Sequence, residues 1–316
     1  MNGCRILVIR LSAMGDVIHT LPAVASLKQS FPGCRISWAI ETRWRYLLSD
    51  NPCVDEVIDV DRRNLRELLA LRARLRDGRF DIAVDFQGLI KSALVASFAR
   101  PDRIYGFDRS CVREKLASLF YSSTAKPVSA HVVDRNLELA ASAGASNSVR
   151  LFPLPAGYST GQLPSSDFVL ANPHAGWEGK QWPLSHYAEL ASRLRHECGL
   201  QLVINGPERI DIPGAWSDVS GLPGLIYATR RAVAVVGVDS GPMHLAAALG
   251  KPGVAIFGPT DPARNGPYGE TITVLRSAVA ATTYKRGTSP DPSMCLVTPE
   301  DVMNALKARL TQAAKL

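Results

Sequence analysis

The stretch at residues 233–262, VAVVGVDSGPMHLAAALGKPGVAIFGPTDP, determines the predicted fold class of this chain. It begins with a short, apolar, β-branched run at residues 233–237, which is typical of a strand covered on both faces. A helix is predicted over residues 243–249, and Gly250 marks its end. A second buried strand is predicted over Gly253–Phe257. The pattern is that of a parallel sheet in which polar residues follow each strand.

The polar turn after the first of these strands is a candidate anion-binding site. Asp239, Ser240 and Gly241 precede the helix, whose first amides lack internal partners and carry the positive end of the helix dipole. Gly241 lets the backbone approach a phosphate closely, and His244 lies one turn into the same helix. The structural alternative is that Asp239 and Ser240 only cap the helix while His244 packs beneath it.

The same order of strand, polar loop and helix recurs along the chain and predicts two α/β domains. The first opens with a strand over residues 5–11, and a Pro-, Gly- and Ser-rich linker is predicted at residues 150–167. We expect the domains to span residues 1–158 and 159–316, with a last helix over residues 299–313. Each is predicted to be a doubly wound, Rossmann-like parallel sheet. The two would face a ligand cleft at the carboxyl ends of their strands.

The composition is that of an ordinary globular protein, with 46% hydrophobic and 21% charged residues. The six cysteines are scattered without metal-ligand spacing, so we expect free thiols in a reducing compartment. The sequence shows no signal-peptide pattern and no apolar run approaching the roughly 20 residues that span a bilayer. A cytoplasmic location is therefore expected.

The net charge of +7 is unevenly distributed. Residues 1–158 hold 22 Lys and Arg against 16 Asp and Glu, whereas the remainder holds 14 against 13. The first half should therefore face an acidic partner: a phosphorylated small molecule, an anionic lipid surface or a nucleic acid. Because the sequence has no nucleic-acid-binding motif, we expect no nucleic acid partner.

The densest basic segment lies at residues 62–79. Arg62, Arg63 and Arg66 are placed to hold phosphate or carboxylate groups bidentately. The alternative is a solvated helix face, which contributes little to stability. The Asp59 and Asp61 pair just before this segment has the spacing of a metal-binding D-x-D motif, but a match of three residues favours a strand end with solvated charges.

Asp16 is the predicted general base. It follows Gly15 in the loop after the first strand, where a carboxylate can accept a proton from an incoming hydroxyl. The alternative is a helix cap. Arg10 and Ser12 share that edge of the predicted sheet. The other candidates for the same wall are Gln87, Lys91, Arg113 and His131.

Lys180 is the second catalytic candidate. It lies among aromatic residues in a loop made flexible by Gly176 and Gly179. A lysine there can neutralise a leaving diphosphate without a metal ion. The alternative is a solvated surface charge. Trp182, two residues on, is predicted to be a packing residue. The chain has neither a G-x-G-x-x-G nor a P-loop, which argues against a nicotinamide dehydrogenase and a P-loop nucleotide site.

Taken together and in order, six motifs resemble those of glycosyltransferase family 9, the heptosyltransferases that build the inner core of lipopolysaccharide. They are LSAMGDVIHTLP (residues 11–22), DFQGLIKS (85–92), LASLFY (116–121), KQWP (180–183), VDSGPMH (238–244) and FGPTDP (257–262). The motifs of the first half are most similar to the heptosyltransferase I branch, which adds the first heptose to a Kdo sugar on lipid A.

The resemblance implies a GT-B architecture and an inverting, metal-independent transfer from ADP-heptose, with no cofactor. It makes Asp16 the general base on the acceptor and Lys180 a diphosphate contact. The donor would be held by Ser12, Gly15, Gly176, Lys180, Glu208, Asp239, Ser240, Gly241 and His244. The Kdo and lipid A groups would be held by Arg10, Arg62, Arg63, Arg66, Gln87, Lys91, Arg113 and His131.

The resemblance also implies a monomer that contacts the cytoplasmic face of the inner membrane peripherally. One departure from the family pattern is expected, because the segment from Glu208 to Gly214 leaves little room for the helix that family members have there. The donor loop before Lys180 also looks short. Three alternatives stay open: a transferase using another nucleotide sugar, a nucleotide-sugar epimerase or hydrolase, and a non-catalytic lipopolysaccharide-binding relative.

Overall fold

The computed structural model describes residues 3–61, 65–283 and 289–315. The chain divides into two compact units, Met1–Pro155 and Ala156–Leu316, and this division falls within the predicted linker. Arg62 and Arg63 lie outside the described residues.

The first unit alternates strands and helices as the sequence predicts. Its strands are β1 (Arg5–Ile9), β2 (Arg35–Ile40), β3 (Glu56–Asp59), β4 (Ile82–Asp85), β5 (Arg103–Phe107) and β6 (Ser123–Ala125). Its helices are α1 (Met14–Ser30), α2 (Leu65–Asp77), α3 (Ile90–Phe98) and α4 (Val132–Ser142), with 3₁₀ helices at Thr42–Leu48 and Lys115–Phe120. The described strands form one sheet in the order β3-β2-β1-β4-β5-β6, and the paired strands are parallel.

The second unit repeats this plan. Its strands are β7 (Phe168–Asn172), β8 (Gln201–Gly206), β9 (Trp216–Val219), β10 (Ala234–Val238), β11 (Gly253–Phe257) and β12 (Ile272–Arg276). Its helices are α5 (Leu184–Cys198), α6 (Leu222–Arg231), α7 (Gly241–Ala248), α8 (Pro262–Asn265), α9 (Pro292–Cys295) and α10 (Pro299–Ala313), with a 3₁₀ helix at Glu178–Lys180. The described strands form a parallel sheet in the order β12-β11-β10-β7-β8-β9.

Both sheets have the strand order of a doubly wound fold, so the predicted fold class is confirmed. The direction of winding reverses between β1 and β4 in the first unit and between β7 and β10 in the second. In such sheets, ligands bind outside the carboxyl ends of the strands at this switch point. The loops that follow these four strands are therefore where each unit is built to hold a ligand.

The central strand β1 is apolar because both of its faces are buried. In β1, Leu7 and Ile9 pack with Leu71 and Leu75 of α2 and with Val95 of α3. α1 and α4 pack against each other elsewhere in the unit. This burial fixes the register of β1, which leaves the polar residues that follow it at the edge of the sheet.

No helix connects β8 to β9, although all the residues between them are described. Ile212 of this segment is buried in the core of the second unit with Leu202 and Ile204, and Ile210 packs against the same cluster. The segment thus covers the core itself, and the prediction that it leaves no room for a helix is confirmed.

Cys4 and Cys34 are joined by a disulfide, so the expectation of free thiols is wrong for this pair. The two cysteines directly precede β1 and β2, where Arg5 pairs with Arg35, and their Cα atoms are 4.6 Å apart. Cys53, Cys111, Cys198 and Cys295 are free.

Trp182 is a packing residue, as predicted. Its side chain is fully buried, its indole Nε1 donates a hydrogen bond to the Val297 carbonyl at 2.8 Å, and its ring packs edge-on against Tyr187. Trp182 therefore fixes the end of the loop that carries Lys180 to the core. Among the described residues, no helix is both long enough and apolar enough to cross a membrane.

Candidate functional site

Asp16 lies in the first turn of α1, which begins at Met14, so the predicted position in the loop after β1 is wrong: the loop ends before this carboxylate. Its Oδ1 is 2.6 Å from Nη2 of Arg10, and its Oδ2 accepts a hydrogen bond from the Ala13 amide at 3.2 Å. The Asp16 side chain is 44% exposed, whereas that of Arg10 is 9% exposed. The carboxylate thus makes the capping contact of the structural alternative while it also remains open to solvent, as a general base requires.

Arg10 and Gln87 hold the loop that leads from β1 to the start of α1, where Asp16 lies. Nη1 of Arg10 donates to the carbonyl of Phe86, and the Leu11 amide donates to Oε1 of Gln87 at 2.7 Å. The indole of Trp38 donates to the Arg10 carbonyl at 3.2 Å. The loop after β1 is therefore tied to the turn after β4, across the switch point of the first sheet.

Asp85, the last residue of β4, shapes that turn. Its carboxylate is fully buried and accepts hydrogen bonds from the Gln87 amide at 2.9 Å, Ser92 Oγ at 2.8 Å and Tyr121 Oη at 2.7 Å. Burial raises the pKa of the Asp85 carboxyl, because it outweighs these hydrogen bonds, which lower the pKa. Sequence reasoning assigned Asp85 no role, although a carboxylate ending an apolar strand was the available signal.

Gly88 completes the turn in a conformation that only glycine adopts easily. Its φ is +67°, and an added Cβ would lie 2.8 Å from Cγ1 of Val112. The Gly88 amide also faces Oδ1 of Asp85 at 3.4 Å. The turn is thus fixed by backbone conformation and by packing as well as by Asp85.

The remaining candidates of the first unit are spread over other elements. Nζ of Lys91 on α3 lies 3.8 Å from Oε1 of Glu41. His131 caps α4, since its Nδ1 accepts from the Val133 amide at 3.2 Å, and its ring lies edge-on to His19. Arg66 and Arg113 are exposed, Ser12 is half-buried and Gly15 is buried. The structure therefore joins Asp16 to Arg10 directly, and brings in Gln87 through the Leu11 amide.

In the second unit, Lys180 and Asp239 form a buried ion pair. Lys180 lies in the loop after β7 and Asp239 directly follows β10, so the pair bridges the switch point of the second sheet. Nζ of Lys180 is 2.5 Å from Oδ2 of Asp239 and 4.0 Å from the centre of the Trp177 ring. The alternative of a solvated surface charge at Lys180 is therefore wrong.

The surroundings of Asp239 keep its carboxylate ionised. Burial alone would raise the pKa of this carboxyl, but the neighbouring His244 side chain and the charge of Lys180 hold the pKa well below its usual range. Nε2 of His244 lies 3.6 Å from Oδ1, and the hydroxyl of Thr260 donates to Oδ2 at 2.8 Å. Asp239 can therefore fix the position of the Lys180 ammonium.

The start of α7 lies directly beside this pair in the sequence. Ser240 is the N-cap residue of this eight-residue helix and Gly241 its first residue, yet the Ser240 side chain makes no capping hydrogen bond. Ser240 Oγ is buried and finds no hydrogen-bond partner within the described part of the chain. A buried hydroxyl without a partner next to the first amide of the helix is suited to an anion, and the Ser240 side chain does not cap the helix, so the capping alternative for Ser240 is wrong.

The other donor candidates lie in open loops. Gly176 is exposed, and an added Cβ there would meet nothing within 4 Å. Glu208 is exposed in the turn after β8. The same turn lies beside the His174 ring, since a Cβ added to Gly206 would be 3.5 Å from that ring.

In the first unit, Asp59 of the D-x-D pair forms an ion pair with Arg45 at 2.5 Å.

Comparison with known proteins identifies the relatives of this chain. The model of glycosyltransferase family 9 (heptosyltransferase) matches residues 68–209 and 220–293. The chain is 32% identical to lipopolysaccharide heptosyltransferase 1 of Pseudomonas aeruginosa over 305 residues, covering 86% of this chain and 84% of that protein. The segment between the matched blocks includes part of the helix-free connection from β8 to β9.

Solved structures give the same relationship. The E. coli heptosyltransferase WaaC with ADP matches with a TM-score of 0.78 and 26% identity, covering 96% of this chain and 99% of that one. The same enzyme with ADP-2-deoxy-2-fluoro heptose matches with a TM-score of 0.76, 26% identity and the same coverage. The likeness confirms the predicted architecture of two Rossmann-like units of the GT-B type.

The raised pKa of Asp85 predicts how the stability of the protein varies with pH. The folded state holds a proton on Asp85 more tightly than the unfolded chain, in which an aspartate has a pKa of about 3.9. The contribution of Asp85 to the free energy of unfolding should therefore fall as pH rises from about 4 to the folded pKa, and stay constant above it.

Asp85→Asn removes this ionisation, while its Oδ1 can still accept the two backbone N–H bonds. Urea unfolding from pH 3.5 to 8 should show the stability of the parent, relative to the variant, declining over that window. Tyr121→Phe, which removes one donor, should extend the decline to higher pH. A constant difference between parent and Asp85→Asn at all pH values would contradict the raised pKa.

Proposed function

The chain belongs to glycosyltransferase family 9, and on that premise we propose that it transfers a heptose from ADP-heptose to the Kdo region of a lipid A acceptor. The relative from Pseudomonas aeruginosa is named for lipopolysaccharide, and WaaC was solved with ADP and with an ADP-heptose analogue. The observation that carries the proposal is the buried Lys180–Asp239 pair beside the unpartnered hydroxyl of Ser240.

The donor diphosphate binds at the switch point of the second sheet. An ammonium has three N–H donors, so Lys180 can remain bonded to Asp239 and direct the others at phosphate oxygens. The Gly241 amide at the start of α7 and the hydroxyl of Ser240 supply neutral donors to the same anion, whereas Pro242 has no N–H and the Met243 amide donates to the Ser240 carbonyl. Because Asp239 holds Lys180 in place before the donor arrives, little reorganisation is needed when charge develops on the leaving group.

The acceptor is activated in the first unit by Asp16. Its half-exposed carboxylate takes the proton of the acceptor hydroxyl as that oxygen attacks the anomeric carbon of the heptose. The bond from this carbon to the diphosphate breaks, and ADP leaves with the electron pair. A single displacement of this kind inverts the anomeric configuration, and Lys180 with the Gly241 amide stabilises the leaving charge without a metal ion.

The basic residues of the first unit are proposed to bind the acidic groups of the acceptor. Arg66 and Arg113 are exposed guanidinium groups in this unit, and Arg62 and Arg63 extend the same run in the sequence. Guanidinium groups bind carboxylates and phosphates bidentately, which suits Kdo and lipid A. We place the reaction at the cytoplasmic face of the inner membrane, where such a lipid is held.

Replacing Asp16 tests the general base. Asp16→Asn keeps the size of the side chain but cannot accept the hydroxyl proton, so kcat should fall by about 10²-fold or more while KM for ADP-heptose changes little. Asp102→Asn, at an exposed position of the same unit, is the matched control. Activity is measured as ADP release with a deacylated Kdo-lipid A acceptor, and undiminished activity in a folded Asp16→Asn protein would refute the assignment.

Replacing the buried ion pair tests the donor site. Lys180→Met alone would leave Asp239 buried without its cation, so the double variant Lys180→Met/Asp239→Asn is compared with it. We expect both to bind ADP about 10-fold more weakly or worse by calorimetry, because a charge-assisted contact to the diphosphate is lost. ADP affinity equal to that of the parent in the folded double variant would exclude Lys180 from the donor site.

A further inference from the structure

Two leucines of the first unit project into solvent from the 3₁₀ helix Lys115–Phe120. Leu116 is 58% exposed and Leu119 is 74% exposed. Residues three apart lie on the same side of a 3₁₀ helix, so the two form one apolar surface, here called the leucine ridge. Ala117 is fully buried and Phe120 is half-buried, so the inward side of the helix is occupied by other residues.

Cationic side chains flank the leucine ridge. Arg113 and Lys115 are exposed immediately before and within this helix. The neighbouring carboxylate of Glu114 is engaged elsewhere, since its Oε2 accepts from the Ile90 amide at 2.7 Å at the start of α3. Exposed leucines next to cations are the combination with which proteins bind the surface of an anionic bilayer.

The segment that carries the ridge is attached to the acceptor-activating part of the unit at both ends. At its start, Val112 packs on Gly88. At its end, Tyr121 donates to Oδ2 of Asp85. Gly88 and Asp85 are the residues that shape the turn after β4, which holds the loop between β1 and Asp16. A surface docked through the ridge would therefore be held in a fixed relation to Asp16.

We propose that Leu116 and Leu119 insert into a bilayer that contains anionic lipid, with Arg113 and Lys115 at the headgroups. The leucine ridge would bring the first unit to a membrane-held acceptor. The inference rests on the proposed function for this role of the ridge. Charge favours an anionic bilayer over a second copy of the chain as the partner of the ridge, because a second copy would bring the same cations against Arg113 and Lys115.

The test compares the double variant Leu116→Ser/Leu119→Ser with Leu184→Ser, which alters a leucine of the second unit that is 51% exposed. Binding is measured by co-sedimentation with vesicles of phosphatidylcholine, with and without phosphatidylglycerol. The parent and Leu184→Ser should bind the vesicles that contain phosphatidylglycerol. The double variant should bind them about tenfold more weakly or worse, because the transfer of two leucine side chains from water into the bilayer is lost.

Activity with two acceptors separates membrane docking from the chemical step. With Kdo-lipid A in vesicles, kcat/KM of the double variant should fall by a similar factor, whereas with the deacylated acceptor in solution it should equal that of the parent. If the parent is inactive on both acceptors, the proposed function fails, and the vesicle-binding result still stands or falls by itself.

Three results would overturn the leucine ridge as a membrane contact. The first is vesicle binding by the double variant equal to that of the parent. The second is an equal loss of activity on both acceptors, which would make the ridge part of the acceptor site or of the fold. The third is a parent that self-associates through the ridge in sedimentation velocity, with the double variant monomeric, which would assign the surface to a second copy.

Discussion

A carboxylate buried where the fourth strand of a parallel sheet ends is the constraint on which both candidate sites depend. Asp85 ends β4 and Asp239 follows β10, and these strands hold equivalent places in two sheets of the same order. A buried carboxylate must be compensated, and the two units do so differently. Neutral donors surround Asp85, whose pKa is raised, whereas Lys180 and His244 face Asp239, whose pKa is lowered.

The two kinds of compensation suit different chemical tasks. Backbone amides bound to Asp85 fix a turn, and that turn holds the loop that leads to Asp16 through Arg10 and Gln87. Asp85 therefore acts as a positioning residue for the proposed base. Asp239 instead holds a positive charge at the switch point of the second sheet, where the proposed diphosphate leaves.

Local sequence patterns predicted the elements better than the contacts between them. The bounds of β11 and α10 are those predicted, and the sequence singled out Asp16 and Asp239 because polar residues follow apolar strands. The pair formed by Lys180 and Asp239, 59 residues apart, could not be predicted in this way. Such contacts depend on which strands are neighbours in the sheet, which no local periodicity encodes. The bonds around Asp85 were missed for the same reason.

The measurement that decides the proposed transfer is mass spectrometry of a deacylated Kdo-lipid A acceptor after incubation with ADP-heptose, the protein and a chelator. We expect each acceptor to gain the mass of one heptose, and one ADP to be released for each transfer. ADP release without acceptor, or transfer that occurs only when a divalent metal is restored, would contradict the mechanism in which Asp16 and Lys180 suffice.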